Sequence, residues 1–264
     1  VLLKRTLVAV GFIPVLISLI LWSKTAFFIL VCLIIGVSLF EFYQRMRKEG
    51  ENIFLPEGIL LGLLIPVGVY LRGEGVLPIL LVFIILFLCL RQFIHLRIRQ
   101  AFVNVSLTLG GILYISFLFS YIISLRDISS LGARLVVTIF FATWMGDAGA
   151  YLIGEKWGKH KLFPRVSPHK SWEGFIGALL VSCVAMFISR MWFFFPLVHT
   201  LILGVLIGVM GQMGDFFESM LKREVGIKDF GKILPGHGGV LDRFDSLLFT
   251  VPIFYYYIKF VYSI

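Results

Sequence analysis

Apolar residues in this chain come in runs, and short polar stretches part the runs. A helix needs ~20 mostly apolar residues to cross a hydrocarbon layer. On that measure the pattern predicts nine spans, at about 7–22, 25–41, 56–71, 76–90, 101–124, 132–153, 174–192, 197–218 and 245–263. The third and fourth are short and interrupted by Pro66, Gly73, Gly75 and Pro78. They can form a re-entrant pair, which would leave the rest of the chain in the same orientation. The first run follows Lys4 and Arg5 and shows no small-x-small cleavage site before the next run, so it reads as a span rather than a leader. No soluble domain fits between the runs. The predicted class is an all-α, polytopic transmembrane protein.

Composition agrees with that pattern. Of the 264 residues 59% are hydrophobic, the mean hydropathy is +0.98, and 15% are charged, where soluble domains carry about 25%. The three cysteines, Cys32, Cys89 and Cys183, lie inside apolar runs without metal-ligand spacing and read as core or lipid-facing residues. The net charge of +9 fits basic loops beside an anionic membrane surface and anionic substrates. No basic-aromatic module points to nucleic acid.

The basic residues also set an orientation. The N-terminus and the segments 41–55, 91–100, 154–173 and 219–243 hold 18 of the 24 Lys and Arg. The positive-inside rule places these in the cytoplasm. The N-terminus is then cytoplasmic, the C-terminus outside, and loops 154–173 and 219–243 face cytoplasmic nucleotides, in what reads as a cell (inner) membrane. Residues 1–130 read as variable scaffold helices and 131–264 as the catalytic region. The line E-F-Y-Q-R-M-R-K-E-G (41–50) reads as a solvated basic helix end. Gly58 and Gly62 form a G-x-x-x-G pair, which suits a homodimer or, more often, packing within one chain.

Two carboxylates stand inside apolar runs. Asp147 lies in T-W-M-G-D-A-G-A-Y and Asp215 in G-Q-M-G-D-F-F-E-S. A charge at membrane depth costs ~2.5–3.5 kcal/mol even on the lenient insertion scale, so such groups face protein, water or a cation. Gly204, Gly208, Gly211 and Asp215 share one helix face. Small residues admit a neighbouring helix, which directs Asp215 into a seam. Structural glue, each carboxylate paired with an arginine, is the plainer alternative.

The densest chemistry lies from Asp215 to Asp245. Asp215, Asp229, Asp242 and Asp245 offer hard oxygen donors, and Lys222, Arg223, Lys228, Lys232 and Arg243 offer phosphate partners. Asp242 and Asp245 are one turn apart at the start of the last helix, where the helix dipole favours anions. Asp242 can be a metal ligand, an N-cap or both. Mg²⁺ usually takes one or two protein carboxylates, with water and substrate phosphates. In P-G-H-G-G (235–239) the glycines, Gly238 and Gly239 among them, let backbone N–H groups approach phosphate. His237 can be an acid, a ligand, a donor or merely exposed. In the earlier loop Arg165, Ser167, Lys170 and Ser171 can hold a polyphosphate, and Ser171–Gly174 can start a helix whose N–H groups meet an anion. No G-x-x-x-x-G-K-[S/T], H-E-x-x-H or G-x-S-x-G motif occurs.

Ser219–Asp245 resembles the signature of the CDP-diacylglycerol synthases (phosphatidate cytidylyltransferases). The pattern is S-x-apolar-K-R, four residues, K-D, then G, P-x-H-G-G and D-R-apolar-D. It is met by Ser219, Lys222, Arg223, Lys228, Asp229, Gly231, Pro235, His237, Gly238, Gly239, Asp242, Arg243 and Asp245. The G-D-x-x-E-S run at Asp215 and the S-P-x-K-[S/T]-x-E-G run at Ser167 are similar too, with His169 where the family has Lys. The resemblance covers the last half of the chain. It implies CMP transfer from CTP to phosphatidic acid with Mg²⁺, a second cation being an open point. Asp215, Asp242 and Asp245 are then expected to hold the metal, with Asp229 as a further ligand or behind those that bind it. Lys222, Arg223, Lys228 and Arg243 would bind phosphates, Arg165, Ser167 and Lys170 would hold CTP, and Ser219 would lie at the substrate. Two readings compete: a CTP-dependent lipid kinase, and an ion-coupled transporter using Asp147 and Asp215.

Overall fold

The computed structural model describes residues 14–47, 53–95, 100–231, 233 and 238–262. Helix α1 covers 14–22, α2 Lys24–Met46 and α3 Leu55–Arg72, and a 3₁₀ turn, Glu74–Val76, leads into α4, Leu77–His95. Helix α5, Ala101–Gly111, continues through a π-helical segment, Ile112–Phe117, into α6, Leu118–Asp127. Helix α7 is Gly132–Trp157. Strands β1, Lys161–Phe163, and β2, Ser167–Ser171, then form an antiparallel hairpin. Helices α8, Trp172–Ser189, α9, Leu197–Glu224, and α10, Leu241–Tyr256, complete the chain, with a last π-helical segment at Tyr257–Tyr262.

Among the described residues eight helices are long and apolar enough to cross a membrane. They match the second to ninth predicted spans within a few residues. The first, 7–22, lies partly outside the described residues, and its described part is α1. The interrupted third and fourth spans are two separate helices of 18 and 21 residues. Pro66 sits within α3 without ending it, and Gly73, at φ 72°, closes it by donating to Val69 O. Large apolar side chains stand open on these helices, among them Leu60, Phe93, Phe102 and Leu180. Such surfaces suit hydrocarbon and would be costly in water.

Two compact units emerge, one built mainly of Trp22–Ser124 and Asp229–Arg243, the other of Leu125–Lys228 and Phe244–Ile264 with Leu16–Leu21. The first unit packs α2, α3 and α5 around Tyr43, whose hydroxyl donates to Thr108 O at 2.6 Å. A methyl at Gly58 or Gly111 would strike the Tyr43 ring, and one at Gly62 would strike Leu39 and Ser116. The G-x-x-x-G pair is therefore used in packing within the chain.

In the second unit α8 packs against both α7 and α9. Glycines make those approaches close. A Cβ at Gly204 would lie 2.6 Å from the Cα of Cys183, and one at Gly208 2.9 Å from the Cα of Leu179. The α7–α8 seam uses Gly146, Gly149 and Gly177 the same way. The small-residue face predicted on α9 thus carries the packing that places Asp215.

One prediction needs correcting. Loop 154–173 is not irregular throughout: α7 runs on to Trp157 and the hairpin fills the rest. Pro164 and Pro168 hid the strands, since proline suits only edge strands, and a two-stranded sheet has nothing but edges.

Candidate functional site

The second unit gathers carboxylates from three helices. Asp147 of α7 accepts from Gln212 Nε2 of α9 at 3.4 Å and from Ser246 Oγ of α10 at 3.2 Å, both on Oδ1. Asp215 and Asp245 lie close enough for their charges to act on it. Lys170, at the end of β2, reaches the same place. Its Nζ is 2.6 Å from Asp215 Oδ2 and 4.1 Å from the centre of the Phe216 ring. Ser219 Oγ, one turn on along α9, donates to Asp215 Oδ1 at 3.4 Å.

A second layer lies behind. The Glu218 side chain is fully buried, and its Oε1 is 2.9 Å from Lys222 Nζ. Among the described residues no three His, Cys, Asp or Glu converge closely enough to enclose a metal alone. Mg²⁺ takes oxygen ligands, usually one or two protein carboxylates with water and substrate phosphates. The hard-oxygen donor set fits such an ion.

Asp147, Asp215 and Lys170 also line a cavity of ≈ 510 Å³, with Tyr151, His169 and Ser171 among its other walls. Small-molecule sites run from ~300 to ~1,000 Å³. The hairpin places Lys170 there. Glu173 braces its base by accepting from the amides of Lys159 and His160 at 3.2 Å, with His160 Nδ1 2.6 Å away. Helix α8 does begin at Trp172, but Ser171 Oγ accepts from Gly174 N at 3.1 Å. This N-terminus is capped by its own serine, so that amide is not left for an anion.

The first unit organises the signature loop. Asp242 accepts from Gly239 N at 2.8 Å and from Phe230 N at 3.1 Å. Its carboxylate thus reaches back to the loop and does not cap α10, which corrects that alternative. Gly238, at φ 86°, adopts a conformation suited to glycine, and a Cβ there would lie 3.1 Å from Asp242 Oδ2 and 3.4 Å from Asp229 Oδ1.

Of the other predicted groups, Arg165, Lys228, Asp229 and Arg243 are exposed, and Ser167 is half-buried in β2. Arg223, also exposed, donates from Nε to Val166 O at 3.1 Å and from Nη1 to Ile227 O at 3.3 Å, so it ties the hairpin to the loop as well as offering charge. His237 and Lys232 lie outside the described residues. The sequence marks Asp147 as a carboxylate in an apolar run without placing it in the expected metal group, and Glu218 stands there only within the G-D-x-x-E-S run. The signal for both was present, a carboxylate on the same face as Asp215 or within an apolar run. Glu41 gave no signal of its kind.

Residues 3–261 match the model of the cytidylyltransferase family. The chain belongs to that family. A phosphatidate cytidylyltransferase of Bacillus subtilis (strain 168) is 34% identical over 260 residues, 96% of each chain. Phosphatidate cytidylyltransferases of Staphylococcus saprophyticus and Staphylococcus aureus (strain COL) are 40% identical over 157 residues, 59% of each chain. Membership of this family favours neither the lipid-kinase nor the transporter reading.

Proposed function

We infer that this chain is a phosphatidate cytidylyltransferase, joining CTP and phosphatidic acid into CDP-diacylglycerol and pyrophosphate for phospholipid synthesis. The observation that carries the chemistry is the meeting of Asp147, Asp215 and Asp245 with Lys170 beside a cavity of nucleotide scale. A phosphate oxygen of phosphatidic acid attacks the α-phosphorus of CTP. A P–O bond forms there, the bond to the α,β-bridging oxygen breaks, and pyrophosphate leaves with the electron pair. The attacking oxygen is already anionic at neutral pH, so no strong base is needed. The work lies in neutralising and aligning two anions.

Asp215 and Asp245 would hold Mg²⁺, with Asp242, one turn from Asp245 on α10, as a further ligand. The ion supplies charge neutralisation at the triphosphate and the leaving group. Lys170, paired with Asp215, orients a phosphate. Lys222, Arg223, Lys228 and Arg243 serve as phosphate partners, with Arg165 and Ser167 on the hairpin and the backbone of Gly238 and Gly239 in the loop. Asp229 would support the ligands from the loop. The lipid tails stay in the bilayer of the cell membrane while the headgroup reaches the site at its cytoplasmic face.

The test is purified protein with labelled CTP, phosphatidic acid and Mg²⁺. Liponucleotide and pyrophosphate in equal amounts are expected, and chelation should stop both. Release of CDP with a phosphorylated lipid would replace this reading with a lipid kinase.

A further inference from the structure

The E-F-Y-Q-R-M-R-K-E-G line read as a solvated helix end, yet its first residue is buried. Glu41, near the C-terminal end of α2, is only 2% exposed. Its Oε2 accepts from Leu241 N at 3.0 Å, across 200 residues of sequence. A methyl on Gly231 would collide with Glu41 Oε1, and one on Gly239 would lie 2.6 Å from Oε2. The carboxylate thus occupies the space that side chains at both glycines would need. One turn further along α2, Arg45 Nε donates to Phe230 O at 3.0 Å, and the Phe42 ring is 5.8 Å from that of Phe230. Asp242 holds the other side of this loop through the amides of Phe230 and Gly239.

A buried carboxylate is costly unless it gives something in return. Here Oε1 has no hydrogen-bond partner among the described residues, so the group is not there for ideal pairing. Hydrophobic packing of α2 would be served better by leucine. What Glu41 does offer is an acceptor at the amide that starts α10 and a tight lid over two glycines. We propose that Glu41 is a positioning residue, which fixes the backbone of the signature loop so that Asp229, Asp242 and Arg243 stand ready for substrate.

This rests on the cytidylyltransferase reading for its effect on turnover, while the loop contact itself can be read without activity. Glu41→Ala, Glu41→Gln, Gly231→Ala and the double variant Glu41→Ala/Gly231→Ala would be purified and compared. Loss of a group that orients catalytic residues typically costs ~10–100-fold. Glu41→Ala should lose kcat to that extent, with KM for CTP changing far less, and Glu41→Gln, which keeps an acceptor for Leu241, should recover most of it. Gly231→Ala should be impaired alone and add little to Glu41→Ala, because the clash disappears with the carboxylate. Hydrogen exchange should quicken at the amides of Gly239 and Leu241 in Glu41→Ala, with the transmembrane helices unchanged. If Glu41→Ala does not fold, Glu41→Gln and Gly231→Ala carry the test by the same exchange measurement. Wild-type kcat in Glu41→Ala, or multiplicative losses in the double variant, would overturn the proposal. Unchanged exchange in 229–243 would overturn it too. Wild-type protein that makes no liponucleotide while the exchange result holds would instead overturn the activity and leave the loop contact standing.

Discussion

Asp215 makes contacts of two kinds: an ion pair with Lys170 at 2.6 Å and a hydrogen bond from Ser219 at 3.4 Å. The first sets a cationic side chain against the carboxylate, and the second uses up the proton of the serine. Asp215→Asn keeps the shape but loses the charge, and Lys170 loses its counterion. Turnover should fall ~10²–10³-fold, as when one electrostatic stabiliser of a transition state is removed. Gel filtration should still show a folded protein. Asp245→Asn should behave alike, with the Mg²⁺ activation curve moved to higher concentration. Ser219→Ala should stay within about tenfold of the parent, since attack by the lipid phosphate needs no enzyme nucleophile. A stable nucleotidyl-protein trapped with labelled CTP would refute that. At this scale the sequence was most readable where residues sit in a short signature. Lys222 and Asp245 stand in it, and Asp215 in the G-D-x-x-E-S run just before it. Glu41 could not be read this way, because its partner lies 200 residues away and a glutamate beside basic residues looks solvated.

Helix α9 is the element on which the site depends, since it carries Gln212, Asp215, Glu218, Ser219 and Lys222. Its glycines set its depth against α8. Gly208→Leu would drive a branched side chain into the Leu179 backbone, where even a Cβ would be 2.9 Å away. Overpacking of this sort costs ~1–3 kcal/mol, and here it also shifts the helix that places Asp215. The expected result is a lower unfolding temperature in detergent together with reduced kcat, whereas leucine at the open Val205 position should change neither. Span boundaries were legible because hydropathy and length dominate inside a bilayer. The hairpin was not, because three and five residues with two prolines nearby carry no period to detect. What makes it a hairpin is its anchoring, by Glu173 at the base and Arg223 at Val166, and those contacts are tertiary.

For the whole molecule, the position of the basic loops makes a claim about sidedness. On the proposed function phosphatidic acid is an interfacial substrate and CTP a cytoplasmic one, so the hairpin and the end of α9 are expected to face the same compartment as the nucleotide. Helix α8 separates the hairpin from the short turn before α9, so residues at its two ends should lie on opposite sides of the membrane. Lys159 and Met191 mark those ends, and both are exposed. In a background with Cys32, Cys89 and Cys183 replaced by serine, Lys159→Cys should resist a membrane-impermeant maleimide in intact cells and react after permeabilisation. Met191→Cys should react in intact cells. The charge bias predicts this, because 154–173 holds five Lys and Arg and the turn after α8 only Arg190. Both cysteines reacting from one side would mean that α8 does not cross the membrane. The reverse pattern would put Lys170 and Asp215 away from CTP, and a cytidylyltransferase in that orientation could not be supplied with its nucleotide.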